Sequence, residues 1–493
     1  MTALRKLHNG ASIARAELPR LDRKGFEEAV LGAVGRGARV ASLFGRRRPD
    51  GAVELAALLA FDAEGLLYAG GTELAGGAWD SLAPACPELH LFERELAEQL
   101  GVEVAGHPWL KPVRFPAAER SEIGSMDFYR VGGEEVHEVA VGPVHAGVIE
   151  PGHFRFQCDG ERVLHLEISL GYQHRGALRA LAEGPEKRRI HCAETLAGDT
   201  TIGHATAYCR VLEALGNARV PPRALALRGI ALELERLANH TGDLGALAGD
   251  IGFLPTAAIC GRLRGEFLNA TAELCGSRFG RGLVRPGGVR FDVEPARAER
   301  LIERLEAALA DLAPALELLW STPSVQSRFE DTGRLSPEQA RALGLVGPAA
   351  RACGLERDVR ASFPAGIFAF AQIPVSTWRS GDVFARAYVR WLEIQRSAEF
   401  LRTQLAALPS GAIRAECPPP EPDRLAVALE EGWRGEISHV ASSDGRGRLA
   451  AYHVVDPSFH NWSGLALAMR GEAISDFPLC NKSFNLSYCG FDL

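Results

Sequence analysis

The sequence predicts an α+β protein in which a small mixed α+β domain precedes a mainly helical bundle with small antiparallel β elements. Two periodicities predict this fold. Over residues 139–170 apolar and polar residues alternate, as in half-buried antiparallel strands. Beyond Gly171 apolar residues recur every three or four positions over long stretches, as in amphipathic helices. A chain of 493 residues with 46% hydrophobic residues can bury a large core in more than one domain.

We expect the first domain to span residues 1–116. Apolar periodicity predicts a helix over residues 26–34, and apolar runs predict strands over residues 39–44 and 54–61. Residues 117–140 are polar and contain two adjacent glycines, so they predict a linker. The second domain then spans residues 141–493.

The second domain begins with a predicted hairpin, because Asp159-Gly160 is a favoured turn pair between two alternating runs. The strand-like alternation returns over residues 433–454, with a turn at residues 445–447. Between these β elements we expect a helical bundle. Its predicted helices include residues 205–215, 224–239, 262–275 and 295–319.

Composition excludes several classes of protein. A net charge of -7 argues against nucleic acid as a partner, since phosphate-binding surfaces are basic. No window approaches about eighteen consecutive apolar residues, so no transmembrane helix is predicted. The first residues lack the apolar core of a secretory signal, so we expect a cytoplasmic protein. The ten cysteines never form a C-x-x-C pair, which argues against disulfide, zinc and iron-sulfur frameworks.

Two segments resemble the nickel-binding segments of the large subunit of nickel-iron hydrogenases. Residues 197–208 read AGDTTIGHATAY and are similar to C-G-x-C-x-x-x-H-x-x-x-Y, and residues 483–490 read SFNLSYCG and are similar to S-x-D-P-C-x-x-C. The resemblance implies that four positions, here called the vacated positions, correspond to nickel-binding cysteines. They are Ala197, Thr200, Ser487 and Gly490.

Side chains at the vacated positions bind nickel poorly, because alanine and glycine carry no donor and hydroxyls are weak ligands for it. We therefore expect no metal on this chain. Cys192, Cys480 and Cys489 lie close in sequence to these positions, so an unorthodox ligand set stays open. Asn485-Leu486 replaces the Asp-Pro of the hydrogenase segment.

Further motifs extend the resemblance to respiratory complex I. Glu93-Arg94-Glu95 followed by Gly106-His107-Pro108 is similar to a signature of its small peripheral-arm subunit. Residues 235–252, 285–289 and 456–459 are similar to segments shared by its quinone-site subunit and by hydrogenases. The resemblance implies a fusion of the two peripheral-arm subunits, as in group 4 hydrogenases of the hydrogenase-4 and formate hydrogenlyase type.

The resemblance also implies roles for individual residues. His174 and Tyr208 would donate hydrogen bonds to the two carbonyls of a quinone head group, and Asp250 would orient His174. Arg175 and Gly176 adjoin His174 in the same binding loop. The alternatives are a surface histidine and a core tyrosine. Glu150, Glu235, His240 and Asp243 are candidates for a proton-coupling chain, with a structural Glu235–Arg236 ion pair as the favoured alternative.

Taken together, the resemblance implies a subunit of a membrane-associated, complex I-like or hydrogenase-4-like oxidoreductase complex. Such a subunit binds no cofactor itself and offers a quinone-type site beside a partner's iron-sulfur cluster. The implied partners are an iron-sulfur small subunit, a ferredoxin-like subunit and membrane-arm subunits at the inner face of the cell membrane. Two alternatives stay open: a redox-inert scaffold or coupling subunit, and a reductase of another small molecule in the vacated metal cavity.

We expect the purified chain to contain no stoichiometric nickel, because none of the four vacated positions supplies a thiolate. Elemental analysis of the purified protein tests this directly, and one nickel per chain would contradict it. Hydrogen uptake should also be absent.

Overall fold

The computed structural model describes residues 3–48, 50–74, 77–115, 126–145 and 149–493. Its combination of helices with small, mostly antiparallel sheets confirms the predicted α+β class. The strands are β1 (Arg5–Leu7), β2 (Ser12–Ala14), β3 (Arg20–Leu21), β4 (Arg39–Arg47), β5 (Val53–Phe61), β6 (Leu66–Leu74), β7 (Ala78–Asp80), β8 (Glu103–Ala105), β9 (Val136–Val141), β10 (His153–Asp159), β11 (Arg162–Ser169), β12 (Val284–Arg285), β13 (Gly288–Val289), β14 (Arg424–Gly432), β15 (Gly435–Ser443) and β16 (Leu449–Val455).

The helices account for most of the second half of the chain. They are α1 (Arg23–Val34), α2 (His90–Leu100), α3 (Ala177–Glu183), α4 (Glu186–Ala193), α5 (Thr201–Leu215), α6 (Pro222–Asp250), α7 (Leu254–Cys275), α8 (Pro295–Ser321), α9 (Pro323–Phe329), α10 (Pro337–Ala342), α11 (Gly347–Ala352), α12 (Val359–Ser362), α13 (Val383–Ala406), α14 (Pro457–Ala468), α15 (Phe477–Phe484) and α16 (Tyr488–Asp492). Among the described residues, no helix is both long and apolar enough to cross a membrane.

Most of the predicted elements are confirmed. The predicted helix over residues 26–34 lies in α1, and the four predicted bundle helices lie in α5 to α8. The Asp159-Gly160 turn joins β10 and β11, which pair antiparallel, and β9 adds a third strand. Residues 433–454 contribute to β15 and β16. The predicted linker lies partly outside the described residues, and β9 begins within it at Val136.

The N-terminal part of the chain contributes strands to three sheets, one of which is the parallel pair β7-β8. In the first, β1, β6, β5 and β4 lie in that order, with β3 parallel to β6. In the second, β2 pairs with β14 and so completes the sheet β16-β15-β14-β2 near the C-terminus. Alternate residues of β14 face different layers: Ala426 and Ala428 pack with the helices, whereas Leu425 and Val427 pack with the first sheet.

The helix α6 is the centre of the bundle. It begins at Pro222, where the missing N–H of proline is not needed, and continues for 29 residues. It packs against α7, α13 and α15, so nearly all of its faces are covered. Its ionisable side chains are therefore buried and must find partners inside the protein. They include Glu233, Glu235, Arg236, His240 and Asp243.

A buried ion pair joins the two sheets. The Arg39 guanidinium of β4 donates to both carboxylate oxygens of Glu436 in β15 and also to Asp62, with Nε 2.9 Å from Oδ2. Arg39 and Glu436 are both almost completely buried. A buried charge without its partner is costly, so this contact should matter for stability.

We expect Glu436→Ala to lower the free energy of unfolding by about 3 kcal/mol, because it leaves the Arg39 guanidinium buried beside Asp62 alone. Urea denaturation monitored by circular dichroism measures the change. Glu64→Gln, at an exposed position, is the matched control and should have little effect. Equal stability of the two variants would contradict the assigned role of the pair.

Candidate functional site

The two segments that carry the vacated positions meet in the structure. The loop at residues 197–200 precedes α5, and residues 485–490 connect α15 to α16. Arg175 donates to the carbonyls of Leu196, which adjoins the first segment, and of Cys489 in the second segment, so it joins the two. The four vacated positions therefore surround one region, as the motif resemblance predicts.

Arg434 holds these segments together from the turn between β14 and β15. Its guanidinium donates to both carboxylate oxygens of Asp199, at 2.5 and 2.9 Å, and to the hydroxyl of Thr200 at 3.3 Å. It also donates to the backbone carbonyl of Asn485. The Trp433 indole N–H adds a hydrogen bond to the carbonyl of Asp199 at 3.0 Å. A cationic side chain thus lies against one of the vacated positions.

Two of the remaining vacated positions, Ser487 and Gly490, are filled by local contacts. The Ser487 hydroxyl accepts a hydrogen bond from the Gly490 N–H at 2.9 Å and so caps α16. A side-chain carbon at Gly490 would lie 2.7 Å from the carboxylate of Asp456, so a cysteine would not fit there without movement. In the part of the chain that the structure describes, no group of three or more His, Cys, Asp and Glu side chains has a metal-binding arrangement.

Asp456 begins a chain of four buried side chains, here called the histidine chain. Its carboxylate oxygen lies 3.0 Å from Nε2 of His204 on α5. His204 Nδ1 lies 3.1 Å from Nε2 of His439 on β15, and His439 Nδ1 lies 2.8 Å from the hydroxyl of Tyr452 on β16. Both histidines are fully buried.

Hydrogen-bond chemistry gives the histidine chain a direction. A carboxylate can only accept, so His204 donates from Nε2 and, when neutral, accepts at Nδ1. His439 must then donate from Nε2 and accept at Nδ1 from the Tyr452 O–H. Burial and the neighbouring His204 lower the pKa of His439 well below its usual value, which agrees with a neutral ring. Every donor in the histidine chain therefore points toward Asp456.

The protonation of Asp456 is set by opposing effects. Burial alone would raise the pKa of Asp456, but the hydrogen bond from His204 and the charge of Arg434 together lower it. Asp456 also caps α14 by accepting from the Ser458 N–H at 2.8 Å. It is thus a carboxylate that lies against Gly490 and can take a proton from His204.

Glu235 of α6 contacts the first turn of α5. Its carboxylate accepts hydrogen bonds from the N–H groups of Ile202 at 2.7 Å and Gly203 at 3.3 Å. Burial raises the pKa of Glu235 to about 8, although these N–H groups favour the charged form. Burial also raises the pKa of Asp243, which accepts from Arg390 at 2.7 Å and contacts Asn485.

A larger set of buried charges, here called the buried ion network, lies farther along α6. Three guanidinium groups face four carboxylates in this network. Its members are Arg236, Arg351, Arg360, Glu233, Asp358, Glu393 and Glu431. Because burial and the negative charge of Asp358 outweigh Arg351, the pKa of Glu431 is raised to about 7. His240 donates to Glu393 at 2.8 Å, and burial lowers the pKa of His240 to about 4.

Comparison with known proteins gives the family. The family described as respiratory-chain NADH dehydrogenase, 49 kDa subunit, matches residues 250–424. The chain is 32% identical over 353 residues to the carbon monoxide-induced hydrogenase of Rhodospirillum rubrum, which covers 71% of this chain and 97% of that protein. The chain belongs to the family of complex I 49 kDa subunits and group 4 hydrogenase large subunits.

Two further relatives come from both branches of the family. The chain is 29% identical over 439 residues to formate hydrogenlyase subunit 5 of Escherichia coli, covering 83% of this chain and 76% of that protein. It is 30% identical over 370 residues to NADH-quinone oxidoreductase subunit 4 of Thermus thermophilus, covering 69% of this chain and 90% of that protein. The names of these relatives include both hydrogenases and quinone reductases.

The residues predicted from the family resemblance are arranged differently from the expectation. The expected pairing of Asp250 with His174 is wrong. Asp250 is bound by Lys482, and His174 Nδ1 lies 2.8 Å from the backbone carbonyl of Asp492. The physical reason is the length of α6, which ends at Asp250. The Asp250 carboxylate lies about 10 Å farther along the helix axis than Asp243, where it meets Lys482 of α15 and not the loop of His174.

Tyr208 is buried one helical turn beyond His204, and its ring lies 6.0 Å from that of Tyr452. Arg175 donates to the carbonyls of Leu196 and Cys489, so it supports both segments of the site. Gly176 is the N-cap residue of α3 and has a positive φ of 66°, which glycine adopts easily.

The proton-coupling candidates fall into separate groups. Glu150 lies beside Cys489, where burial and the Glu150 charge raise the pKa of the thiol to about 11. Glu235 and Asp243 approach the vacated positions, whereas His240 contacts the buried ion network. The alternative of a Glu235–Arg236 ion pair is wrong, because Arg236 pairs with Glu233 at 3.1 Å. Of the three nearby cysteines, only Cys489 contacts a vacated position among the described residues, with its sulfur 3.5 Å from Ser487 Oγ.

Sequence reasoning missed three residues of the site, Arg434, His439 and Tyr452. They lie in the second β element, whose alternation predicts strands but no chemistry. His204 and Asp456 lie in the family motifs at residues 197–208 and 456–459, but the motifs alone do not indicate that the two side chains meet.

The raised pKa of Glu235 predicts a pH-dependent stability. The folded protein retains a proton on Glu235 up to about pH 8, whereas the unfolded chain releases it near 4.5. Stability is therefore lost as the pH rises through this window. Glu235→Gln cannot release a proton, so its stability relative to wild type should increase from about pH 5 to about pH 8, by at most ~1.4 kcal/mol per pH unit.

Urea denaturation at several pH values measures this difference. Glu64→Gln changes an exposed carboxylate and should show a constant difference from wild type. A constant difference for Glu235→Gln as well would show that Glu235 is ionised in the folded protein at pH 5.

Proposed function

We propose that the chain is a subunit of a membrane-associated oxidoreductase complex and that the vacated region is a proton-handling site for a quinone-type acceptor. Family membership supports the first part, because relatives in both branches are named as components of redox enzymes. The second part rests on one observation: the histidine chain ends at Asp456, directly against the vacated position Gly490.

Quinone reduction consumes two electrons and two protons. The electrons would come from an iron-sulfur cluster in a partner subunit, because in the described residues no cysteine cluster could hold one. The protons would come from groups in this chain. The histidine chain could relay a proton from the Tyr452 hydroxyl to Asp456, since each ring accepts at one nitrogen and donates from the other, and Tyr452 would regain its proton from solvent.

The hydrogen bonds of His174 and Asp250 limit what these two residues could do for a bound quinone. His174 donates from Nδ1 to the carbonyl of Asp492, so a neutral His174 has only an acceptor left at Nε2. His174 could donate to a quinone carbonyl only as an imidazolium. Tyr208 could donate from its hydroxyl. Asp250 would contribute through Lys482 rather than through His174.

The partners belong to the same proposal. An iron-sulfur small subunit would lie against the loop of His174 and Arg175, a ferredoxin-like subunit would pass electrons to it, and membrane-arm subunits would receive the coupling. The chain would attach peripherally to the cytoplasmic face of the membrane through these partners.

A second candidate function is supported by the packing of the vacated region. Arg434, Asp199 and Asp456 occupy the space around Thr200 and Gly490, as expected for a coupling subunit that transmits a partner's change without binding substrate. The buried ion network would then be the transmitting element. The two functions differ in whether removal of one proton-carrying group stops turnover.

We expect Asp456→Asn to lower quinone reduction per assembled complex roughly 10²-fold, because asparagine can cap α14 but cannot carry a proton. The assay uses membranes with the assembled complex, a chemically reduced dye as donor and a short-chain quinone as acceptor. Asp331→Asn is the matched control, because Asp331 is largely exposed.

Normal turnover with a lowered melting temperature would contradict the proton-handling site and support the coupling subunit. Loss of turnover at normal complex yield and melting temperature would support the proton-handling site. Immunoblots of the isolated complex provide the yield for this comparison.

A further inference from the structure

A cavity lies between the N-terminal part of the chain and α14, away from the vacated region. It has a volume of about 520 Å³, within the usual range for sites of small organic ligands. Its walls come from α2, from the loop after β8, from β11 and from α14. The loop and α2 carry the Glu93-Arg94-Glu95 and Gly106-His107-Pro108 motif, for which the proposed function gives no role.

Most of the cavity wall is apolar. Leu91, Leu166, Leu343 and Ala466 contribute aliphatic surface, and Trp109 is partly exposed at the cavity. An apolar cavity of this size is filled favourably by a hydrocarbon group, because its transfer removes apolar surface from water. The apolar wall therefore favours a ligand with a sizeable hydrocarbon part.

The polar groups in the wall favour a negative charge. Arg94 donates to the carbonyls of Lys111 at 2.7 Å and Pro112 at 2.8 Å, and no carboxylate pairs with it in the described part of the chain. Arg470, which is exposed, also has no carboxylate partner among these residues. Two guanidinium groups therefore face the cavity with no carboxylate at ion-pair distance in the described part of the chain, although Glu167 and Glu98 are near enough to favour the charge of Arg94.

The single carboxylate in the described wall does not neutralise them. Glu167 is bound by Lys111, by the Trp109 indole N–H at 3.1 Å and by the Tyr129 N–H at 2.8 Å. Burial and, to a smaller extent, the charges of Arg94 and His107 lower the pKa of His90 to about 3, so the His90 ring is neutral. The wall is thus cationic as well as apolar.

The wall also contains an unused donor. Trp462 is 3% exposed, and its indole nitrogen has no hydrogen-bond partner among the residues that the structure describes. A buried N–H without an acceptor is costly. Trp462 lines the cavity through its ring, so an acceptor bound there would reach this N–H after a shift of the indole. By contrast, His107 is satisfied by the carbonyl of His90 and the N–H of Trp109.

We propose that this cavity binds an amphipathic anion, with its hydrocarbon part against the apolar wall and its acidic head group near Arg94, Arg470 and the Trp462 N–H. The head group is a carboxylate or a phosphate, as in a fatty acid or an acidic phospholipid. Such a ligand would connect the N-terminal motif with α14 and stabilise their packing by binding to the folded state.

Isothermal titration calorimetry on the full chain tests the site with dodecanoate, dodecanol and dihexanoylphosphatidylglycerol as probes. We expect saturable binding of dodecanoate and about tenfold weaker binding of the uncharged dodecanol. Trp462→Phe keeps the ring and removes the donor, so it should weaken dodecanoate binding about tenfold. Trp378→Phe, at a partly exposed position that does not line the cavity, is the matched control.

Two more variants separate the site from general adsorption. Ala466→Phe should fill the cavity and abolish saturable binding. Arg470→Gln changes an exposed side chain, so folding is preserved, and it should weaken dodecanoate but not dodecanol binding several-fold. The ranking of dodecanoate against the phospholipid identifies the source of the head group. Absence of saturable binding, or binding that is unchanged in both Trp462→Phe and Ala466→Phe, would overturn the proposal.

Discussion

The ion pair between Arg434 and Asp199 is the constraint on which the site depends. It holds the loop before α5 against the turn between β14 and β15, and the same guanidinium reaches the carbonyl of Asn485. Although burial opposes its charge, Asp199 raises the pKa of Arg434, so the guanidinium stays charged. Loss of the Asp199 carboxylate would leave the buried Arg434 guanidinium without its partner, which is costly. This ion pair therefore brings together residues that are 235 positions apart in the chain.

The protein interior is rich in ionisable groups that can change protonation. Buried carboxylates are expensive unless they are paired, hydrogen bonded or neutral. All three solutions occur here: Asp456 is hydrogen bonded by His204, Glu393 is paired with Arg351, and Glu235 has a pKa of about 8. Glu431, with a pKa of about 7, lies in the same interior. Groups of this kind can couple a redox change to proton movement without a metal ligand.

Much of the fold can be predicted from the sequence, because the spacing of apolar residues indicates which face of a helix or strand is buried. It predicted α5 to α8 and the β10–β11 hairpin, and the motifs located the vacated positions. Pairings within the site required the structure. Asp250 and Asp243 lie on the same helix, and only the packing of α15 decides that Asp243 meets Asn485 while Asp250 meets Lys482. His439 and Tyr452 lie in buried strands, where neither spacing nor composition distinguishes a functional histidine from a packed one.

We propose that the vacated region handles protons when an iron-sulfur cluster of a partner subunit is reduced. Reduction-induced infrared difference spectroscopy of the assembled complex, in H₂O and D₂O, measures this proton movement, because carboxylic acid bands appear or vanish with protonation. We expect a deuterium-sensitive carboxyl band on reduction that is absent in Asp456→Asn. A spectrum with no carboxyl change, or one identical in wild type and Asp456→Asn, would contradict it.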